Sequence, residues 1–342
     1  MTIISSKWDI FISFDLNRKH LKHLFYLSIL CLTVFFNHCT NSENPIAEND
    51  IKNDSTDDTT NEILSKTLTA NSKITISKSW TQEPTGYTYS IDIHIPNEDM
   101  PSEGFPTCIL LHGNGGNGLD EINHWSTLLT NHALVAPTGY MNSWNLCNEE
   151  SKAPDIEMID TLTILLQEYN NVNPNKIRIL GSSNGAGLAN SIFIENSNMG
   201  IDAVCAIVTH LSVPQFHLEN FYKIKADTDP SINYCGYDNI ATTPLTNRKY
   251  LNISNDNDDV IPYLGGVSQV GMNFLNAQEA IYIIAQSQGY NGNKLPDQGT
   301  PIGNPVVFEY SYLSGDVVHI RGNAGHGINP TQREYVKTFL EE

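Results

Sequence analysis

Residues 176–190 read KIRILGSSNGAGLAN, and this stretch decides the fold. The apolar run from Ile177 to Leu180 predicts a short buried strand, and the small residues after the turn favour a helix packed closely against a sheet. Between strand and helix, Ser183 is bracketed by Gly181 and Gly185. Glycines fit both positions because a serine in a strained turn leaves no room for neighbouring side chains. The stretch therefore predicts a strand, a sharp turn and a helix, with a serine hydroxyl presented at the turn.

The pattern G-x-S-x-G in this context is typical of the turn that carries the nucleophile in α/β-hydrolases. Alternating apolar and polar residues predict two antiparallel strands, Ile74–Trp80 and Tyr87–Ile95, joined through residues 83–86. Further strands are predicted at Thr107–Leu111, Leu134–Ala136, Ile177–Leu180, Ala203–Val208, Tyr250–Ile253 and Val306–Tyr310, and helices at Asp155–Tyr169, Asn273–Gln288 and Thr331–Leu340. We therefore expect an α/β-hydrolase fold: a mostly parallel sheet with antiparallel N-terminal strands and helices on both faces.

The N-terminal part predicts export. Residues 1–39 contain basic side chains followed by the apolar run Leu24–Phe36, which has the length of a signal-peptide core rather than of a membrane span. Cys39 follows this run at the place of a lipoprotein cleavage site, and the alternatives are cleavage without a lipid or an uncleaved anchor. Residues 40–72 are polar and acidic and predict a flexible linker. The catalytic domain is expected over residues 73–342.

Charge and cysteine content narrow the class of protein. The net charge of −19 argues against binding to nucleic acid, whose phosphates require lysine and arginine. No C-x-x-C pair occurs, so zinc-ribbon and thioredoxin sites are excluded. Cys108 and Cys205 lie in apolar runs and are expected in the core. Cys147 and Cys235 lie in polar stretches, and in an exported protein a disulfide between them is a hypothesis.

Residues 210–248 interrupt the strand and helix pattern with a long, turn-rich insertion that contains five aromatic side chains. Insertions of this length are often functional, so one interpretation is a cover over the active-site mouth. The other interpretation is a surface excursion that packs on its own aromatic residues.

A serine hydroxyl becomes nucleophilic when a histidine accepts its proton and a carboxylate orients that histidine. In α/β-hydrolases the acid and then the histidine follow the serine along the chain. His326, flanked by two glycines before the last helix, fits the histidine. Asp258 is the preferred acid and Asp256 is the alternative. Calcium binding at these two aspartates is disfavoured, because the glycine and the closing glutamate of an EF-hand loop are missing.

Backbone N–H groups must stabilise the negative charge that develops on the attacked carbonyl oxygen. One donor is expected from Asn184, the residue after the serine. The other is expected from the glycine-rich loop His112–Gly116, and Asn114 is the preferred residue.

Several further segments resemble the polyhydroxybutyrate depolymerase and feruloyl esterase family of α/β-hydrolases. They are SWN at 143–145, DIEMID at 155–160, NVNPNKIRILGSSNGAGLAN at 171–190 and VIPYLGG at 260–266. The resemblance implies Ser183 as nucleophile, His326 as base and Asp258 as acid. Trp144 and Asp155 match motif positions near the active-site entrance of the family, and a structural role is the alternative for both. Trp144 and His112 are the residues expected to bind substrate. The family often has histidine and glycine where this chain has Ser254 and Asn255.

Together these features predict a secreted serine esterase, lipid-anchored at Cys39, that needs no metal or organic cofactor. The expected partner is an ester: a feruloyl or acetyl ester of plant polysaccharide, a polyester or a smaller ester. Two alternatives remain open at this point. One is a peptidase of the same fold, and the other is a non-catalytic surface lipoprotein that binds glycans.

Overall fold

The strand that leads to Ser183 lies in the middle of a nine-stranded sheet in the computed structural model, which describes residues 66–225 and 228–342. The strands of the described residues, in chain order, are β1 Ser77–Trp80, β2 Glu83–Thr88, β3 Ser90–His94, β4 Phe105–Leu111, β5 Ala133–Thr138, β6 Val172–Ser182, β7 Ile201–Ile207, β8 Phe216–His217, β9 Asn220–Tyr222, β10 Ala241–Thr242, β11 Lys249–Asn255, β12 Gly266–Val267, β13 Asn273–Phe274, β14 Thr300–Ile302, β15 Val307–Tyr312 and β16 Val317–Gly322. The helices are α1 Gly118–Trp125, α2 Asp155–Leu166, α3 Asn184–Glu195, α4 Ala277–Ser287 and α5 Pro330–Glu341.

The sheet order is β14, β15, β16, β11, β7, β6, β4, β5 and β3 across the described residues. The strands from β5 to β16 in this order run parallel, whereas β3 at one edge and β15 with β14 at the other run antiparallel. Strand β4 lies between β5 and β6, so the chain reverses its direction of travel across the sheet before β6. This topology, with the serine turn directly after β6, is the α/β-hydrolase fold predicted from the sequence.

The two faces of the sheet are covered by different helices. Successive residues of β4 alternate between them: Ile109 packs with α2, α3 and α4, whereas Leu110 packs with α1 and α5. A strand buried on both faces reads as a continuous apolar run, which is why β4 shows no alternation in the sequence. Cys108 and Cys205 are free, fully buried thiols in the second of these cores, as expected.

The N-terminal boundary differs from the prediction. Residues 66–72 were assigned to the linker, but Leu68 is buried and exchanges two hydrogen bonds with the side chain of Asn171, at 2.7 and 2.9 Å. One apolar residue with a specific amide partner is enough to hold a polar segment on the domain. The predicted signal segment, Cys39 and the rest of the linker lie outside the described residues.

Several secondary-structure predictions are corrected by the structure. Residues 83–86 belong to β2 rather than to the turn, because β1 and β2 pair up to Trp80 opposite Glu83. Helix α4 begins at Ala277, since the side chain of Asn276 caps it by accepting hydrogen bonds from the N–H groups of residues 278 and 279. Strand β15 is antiparallel, and it is β16 that extends the parallel series next to β11.

The insertion at residues 210–248 packs both on its own aromatic side chains and on the main core, where Phe221, Tyr222 and Tyr237 are buried. Three of its strands, β8 to β10, form a small separate sheet. The ring of His217 stacks between Tyr222, at 4.0 Å, and Tyr234, at 3.7 Å. Cys147 and Cys235 form a disulfide that ties this insertion to the loop before α2, which confirms the hypothesis from the sequence.

Candidate active site

The turn after β6 holds Ser183 in a strained backbone conformation, with φ 52° and ψ −116°. A side chain at Gly181 would approach the carbonyl oxygen of Gly185 to 2.2 Å, and one at Gly185 would approach the carbonyl oxygen of Leu111 to 2.2 Å. Both glycines are therefore required by close backbone contacts, as predicted from the motif. The strain is typical of a site where the fold forces one side chain into the open.

Ser183, His326 and Asp258 lie in one hydrogen-bonded row. Nε2 of His326 is 2.8 Å from Oγ of Ser183, and its Nδ1 is 2.9 and 3.1 Å from the two carboxylate oxygens of Asp258. A carboxylate only accepts, so Nδ1 carries a proton, and in the neutral ring Nε2 offers its lone pair to the serine hydroxyl. This is the protonation state in which a histidine can remove a proton from the serine.

Asp258 remains charged because several donors surround it. Burial raises the pKa of its carboxyl, but hydrogen bonds from His326 and from the N–H groups of Ile261 and Val260 outweigh burial, and the net pKa lies below its ordinary value. The two backbone donors are 2.9 and 3.0 Å from Oδ1. The carboxylate is thus fixed by the turn that follows it, independently of the histidine.

Asp256, the alternative acid, is exposed, and its carboxylate lies 3.7 Å from the guanidinium of Arg321. No hydrogen bond joins it to His326 in the part of the chain that the structure describes. Of the two candidates, the structure therefore brings only Asp258 to the histidine.

Asn255, for which the sequence predicts no role in the site, holds the loop that carries His326. Its amide donates to the carbonyl oxygens of Gly325 and Gly327, both at 2.8 Å, on either side of His326. Its own oxygen accepts a hydrogen bond from Gln332 on α5 at 2.8 Å. A buried asparagine at the end of β11, next to a glycine-rich loop at the end of β16, was the available signal.

The expected oxyanion donors, Asn114 and Asn184, both line a cavity of about 460 Å³ beside Ser183. Asn184 is the first residue of α3, so its N–H has no acceptor within the helix. Asn114 lies on the loop after β4, where Gly115 has a positive φ of 81°. Both residues therefore lie beside Ser183 at the cavity and remain the expected oxyanion donors.

His112 and Trp144, assigned to substrate binding from the sequence, do not line the cavity, and both are fully buried. His112 donates from Nδ1 to the carbonyl oxygen of Gly113 at 2.7 Å and accepts the N–H of Gly139 at Nε2 at 3.0 Å. Trp144 donates to the carbonyl oxygen of His112 at 2.8 Å. Burial lowers the pKa of His112, which keeps the ring neutral, as these two bonds require. The pair thus holds the loop at 112–116 through buried hydrogen bonds and does not face the cavity.

The loop before α2, residues 143–154, is named the cysteine loop here. The side chain of Asn184 accepts the N–H of Trp144 at 2.7 Å and donates to the carbonyl oxygen of Trp144 and to Oε1 of Glu149, both at 3.1 Å. The residue after the serine thus fixes the cysteine loop through its side chain, and its backbone N–H stays available.

The segment between β11 and α4, residues 256–276, is named the acid loop here. It begins with Asp256 and Asp258. Much of the apolar lining of the cavity comes from its residues Ile261, Val270, Met272 and Phe274. The insertion at 210–248 contributes no lining residue in the described part of the chain, so its interpretation as a cover of the mouth is not supported.

Within the described residues, no group of three or more histidine, cysteine, aspartate or glutamate side chains is arranged to hold a metal ion. The same residues contain no helix that is both long and apolar enough to cross a membrane.

No protein-family model and no curated protein sequence matches the chain. Among solved structures, it is similar to a Bacillus cereus carboxylesterase at 14% identity and a TM-score of 0.47, covering 74% of this chain and 93% of the other. An acetyl xylan esterase from Aspergillus awamori gives 12% identity and a TM-score of 0.46 over 73% and 94%. A poly(3-hydroxybutyrate) depolymerase from Bordetella parapertussis gives 15% and 0.40 over 59% and 74%.

Proposed function

We propose that the protein is a serine hydrolase of carboxylic esters that works through an acyl-enzyme. The observation that carries this proposal is the row of hydrogen bonds from Asp258 through His326 to Ser183, which ends at a strained serine beside an open cavity. A binding protein of the same fold has no need for a histidine placed 2.8 Å from a serine hydroxyl and held there by a carboxylate.

In the first half-reaction, Oγ of Ser183 attacks the ester carbonyl while Nε2 of His326 takes the hydroxyl proton. The charge that develops on the carbonyl oxygen is stabilised by the N–H groups of Asn184 and Asn114. His326 then gives the proton to the departing alcohol, and Asp258 stabilises the positive imidazole between the two transfers. Water repeats the sequence on the acyl-enzyme and releases the acid.

The direct test compares the protein with Ser183→Ala in the hydrolysis of 4-nitrophenyl acetate. We expect kcat to fall at least about 10³-fold, because the nucleophile is absent and only the oxyanion donors and binding remain. Phenylmethylsulfonyl fluoride should modify the wild-type protein at Ser183, as seen in the mass of that peptide, and should leave the variant unmodified. Full activity in Ser183→Ala would rule out the mechanism.

For the substrate, we propose a feruloyl or acetyl ester of polysaccharide, or a hydroxyalkanoate polyester. A panel of methyl ferulate, acetylated xylan and hydroxybutyrate oligomers separates these classes, and activity on an aminoacyl amide instead of any ester would favour a peptidase.

We further propose that the protein is exported and anchored by a lipid on Cys39. Two features support this proposal: the apolar run before Cys39, and a disulfide between Cys147 and Cys235, which is typical of oxidising compartments. Mass analysis of the N-terminal peptide from native membranes would detect the lipid, and an unmodified Cys39 would refute it.

A further inference from the structure

The cavity beside Ser183 is lined by two kinds of residue. Apolar side chains come from the acid loop and from Met141 and Leu146. Polar and acidic side chains come from the cysteine loop, at Asn148, Glu149 and Glu150. The lining residues, all within the described part of the chain, include no lysine or arginine. The cavity therefore combines an apolar surface with an excess of negative charge.

Glu149 is held in place by three donors. Its Oε2 accepts the N–H groups of Leu146 and Cys147 at 3.1 and 2.6 Å, and its Oε1 accepts the amide of Asn184 at 3.1 Å. Two carboxylate oxygens offer about four acceptor positions, so a lone pair of Oε1 stays open. The side chain of Glu149 lines the cavity and is bonded to Asn184, which directly follows Ser183 in the chain. Its carboxylate is therefore fixed near the serine.

Glu150 adds a second carboxylate, on an exposed side chain. Neither glutamate forms an ion pair among the described residues. Lys152, in the same loop, donates instead to the carbonyl oxygen of Cys147 at 2.7 Å and to the hydroxyl of Thr228 at 3.1 Å. The negative charges of Glu149 and Glu150 are thus not paired with a cation of the cysteine loop.

We propose that Glu149 and Glu150 select neutral or cationic esters and exclude esters that carry a carboxylate near the scissile bond. This inference rests on the proposed ester hydrolysis. Two unit charges a few ångströms apart repel each other appreciably even at high dielectric, and the repulsion grows where the cavity excludes water. The expected substrates are neutral sugar or aryl esters, or the interior bonds of a polyester. Uronate esters and short hydroxyalkanoate oligomers with a free terminal acid are expected to be poor substrates.

Two pairs of esters test the selection on both sides of the scissile bond. On the alcohol side, 4-carbamoylphenyl acetate is compared with its isosteric anion, 4-carboxyphenyl acetate. On the acyl side, 4-nitrophenyl butyrate is compared with mono(4-nitrophenyl) succinate. The measured quantity is the ratio of kcat/KM for the anionic to the neutral ester, because this ratio compared between variants cancels the intrinsic reactivity of each ester.

We expect Glu150→Gln to raise this ratio about 3- to 10-fold, and Glu149→Gln with Glu150→Gln to raise it further. The effect should shrink in 0.5 M NaCl, because exposed charges are screened. Glu334→Gln, an exposed glutamate on α5, is the matched control and should leave the ratio unchanged. Hydrolysis of both esters with the same ratio in every variant would overturn the selection. Hydrolysis of neither ester would instead count against the proposed function.

A second, independent observation is a buried chain of hydrogen bonds beneath the site. The hydroxyl of Tyr263 lies 3.0 Å from Nε2 of His319, whose Nδ1 lies 2.9 Å from the amide oxygen of Asn252. The amide nitrogen of Asn252 donates to the carbonyl oxygen of Thr209 at 3.1 Å, and the hydroxyl of Thr209 donates to the carbonyl oxygen of Ser183 at 2.9 Å. The chain thus runs from the acid loop to the serine turn.

The direction of every bond in this chain is determined. The amide nitrogen of Asn252 donates to the carbonyl oxygens of Ala206 and Thr209, so its oxygen faces His319. An amide oxygen only accepts, so Nδ1 of His319 is the donor, and in the neutral ring Nε2 accepts from Tyr263. Burial lowers the pKa of His319 to about 3, with His210 and Arg321 adding to the effect, which keeps the ring neutral. At the serine end, Thr209 follows Val208, a β-branched residue with a positive φ of 53°.

The geometry points to Tyr263 as a positioning residue for the proposed reaction: through His319, Asn252 and Thr209 it fixes the acid loop relative to the serine turn. Like the first inference, it rests on the proposed function. Tyr263→Phe removes one hydroxyl and keeps the ring. We expect kcat to fall about 3- to 10-fold with KM nearly unchanged, because the binding surface stays while the alignment of Ser183 with Asp258 and His326 loosens.

Tyr310→Phe is the matched control. Its ring also packs against His319, at 5.4 Å, but its hydroxyl donates to the carbonyl oxygen of Asp297 outside the chain of bonds. The downfield proton resonance of His326 Nδ1–H should shift or broaden in Tyr263→Phe and stay in place in Tyr310→Phe. Equal kcat values and equal resonances in the two variants would overturn the positioning role, and an inactive wild-type protein would instead refute the proposed function.

Discussion

The two ends of the parallel strands both hold ionisable side chains, but they hold them in opposite ways. At the carboxyl end, Ser183, Asp258 and His326 lie on loops, and the serine hydroxyl faces a cavity. At the amino end, Arg248 is buried just before β11 and has no carboxylate within ion-pair distance among the described residues. Burial lowers the pKa of Arg248 to about 10.

Carbonyl and amide oxygens surround the guanidinium of Arg248. They include the carbonyls of Ile192 and Phe193 in the last turn of α3, at 3.5 and 3.4 Å, that of Asn198 at 2.8 Å and that of Ile201 at 3.1 Å. A cation at the carboxyl end of a helix is favoured by the helix dipole. All N–H donors of the Arg248 guanidinium are used inside the protein, so this residue contributes to stability. At the carboxyl end, by contrast, hydrogen-bonding groups remain free for a substrate.

The largest expected effect on activity distinguishes the two aspartates at the carboxyl end of the strands. Asp258→Asn should lower kcat about 10³- to 10⁴-fold, because the amide no longer stabilises the charged imidazole and favours the wrong tautomer. Asp256→Asn should leave kcat within about 3-fold, because an exposed ion pair contributes little. Steady-state kinetics on 4-nitrophenyl acetate measure both, and a larger loss in Asp256→Asn would reassign the acid.

The disulfide links the cysteine loop, at the carboxyl end of the strands, to the insertion at 210–248. Replacing Cys147 and Cys235 together by serine should lower the free energy of unfolding by about 3 kcal/mol, because the unfolded chain is no longer constrained. Since the cysteine loop carries Glu149 and contacts Asn184, we also expect a moderate rise in KM. Urea denaturation and kinetics give the two values. A stability equal to that of the wild-type protein would show that the link does not constrain the unfolded chain.

The amino end should show the reverse pattern. Arg248→Met keeps the length of the side chain but leaves several buried carbonyls without a donor, so the free energy of unfolding should fall by about 2–3 kcal/mol. Activity per folded molecule should remain that of the wild-type protein. Lys249→Met is the control, since its ammonium has only a partly exposed partner, Glu342, at 3.7 Å. A fall in kcat without a fall in stability would contradict the division between the two ends.

The smallest expected effect is a loss of stability at acidic pH. The folded-state pKa of Asp258 lies below its unfolded value, so its contribution to stability is present above about pH 4 and is lost as the pH falls through the lower folded value. The unfolding free energy of the wild-type protein should therefore approach that of Asp258→Asn between pH 5 and pH 3. Denaturation at each pH tests this, and a gap that widens on acidification would contradict the sign.

Much of this arrangement followed from local pattern. The glycines around Ser183 are required by contacts within a few residues and with the adjacent strand, so the motif alone located the turn. The chain order of serine, acid and histidine follows from successive strand ends, and His326 was recognisable by its flanking glycines. Cys147 and Cys235 were the two cysteines outside apolar runs, which made them candidates for pairing.

Other features were beyond local pattern because they depend on which groups meet across the sheet. Asp256 and Asp258 follow the same strand two residues apart, and only the turn that gives Asp258 two backbone donors decides between them. The sequence led us to expect His112 and Trp144 at the substrate-binding surface, yet tertiary packing buries both away from the cavity.

The sequence by itself therefore determined the fold, the serine turn and the order of the candidate catalytic residues, since these depend on periodicity and on backbone contacts close in the chain. Only the tertiary structure decided which carboxylate reaches His326, which side chains line the cavity and how Tyr263 connects to Ser183. The physical reason is that burial, charge and hydrogen-bond partners are properties of a three-dimensional neighbourhood, and residues distant in the chain supply that neighbourhood.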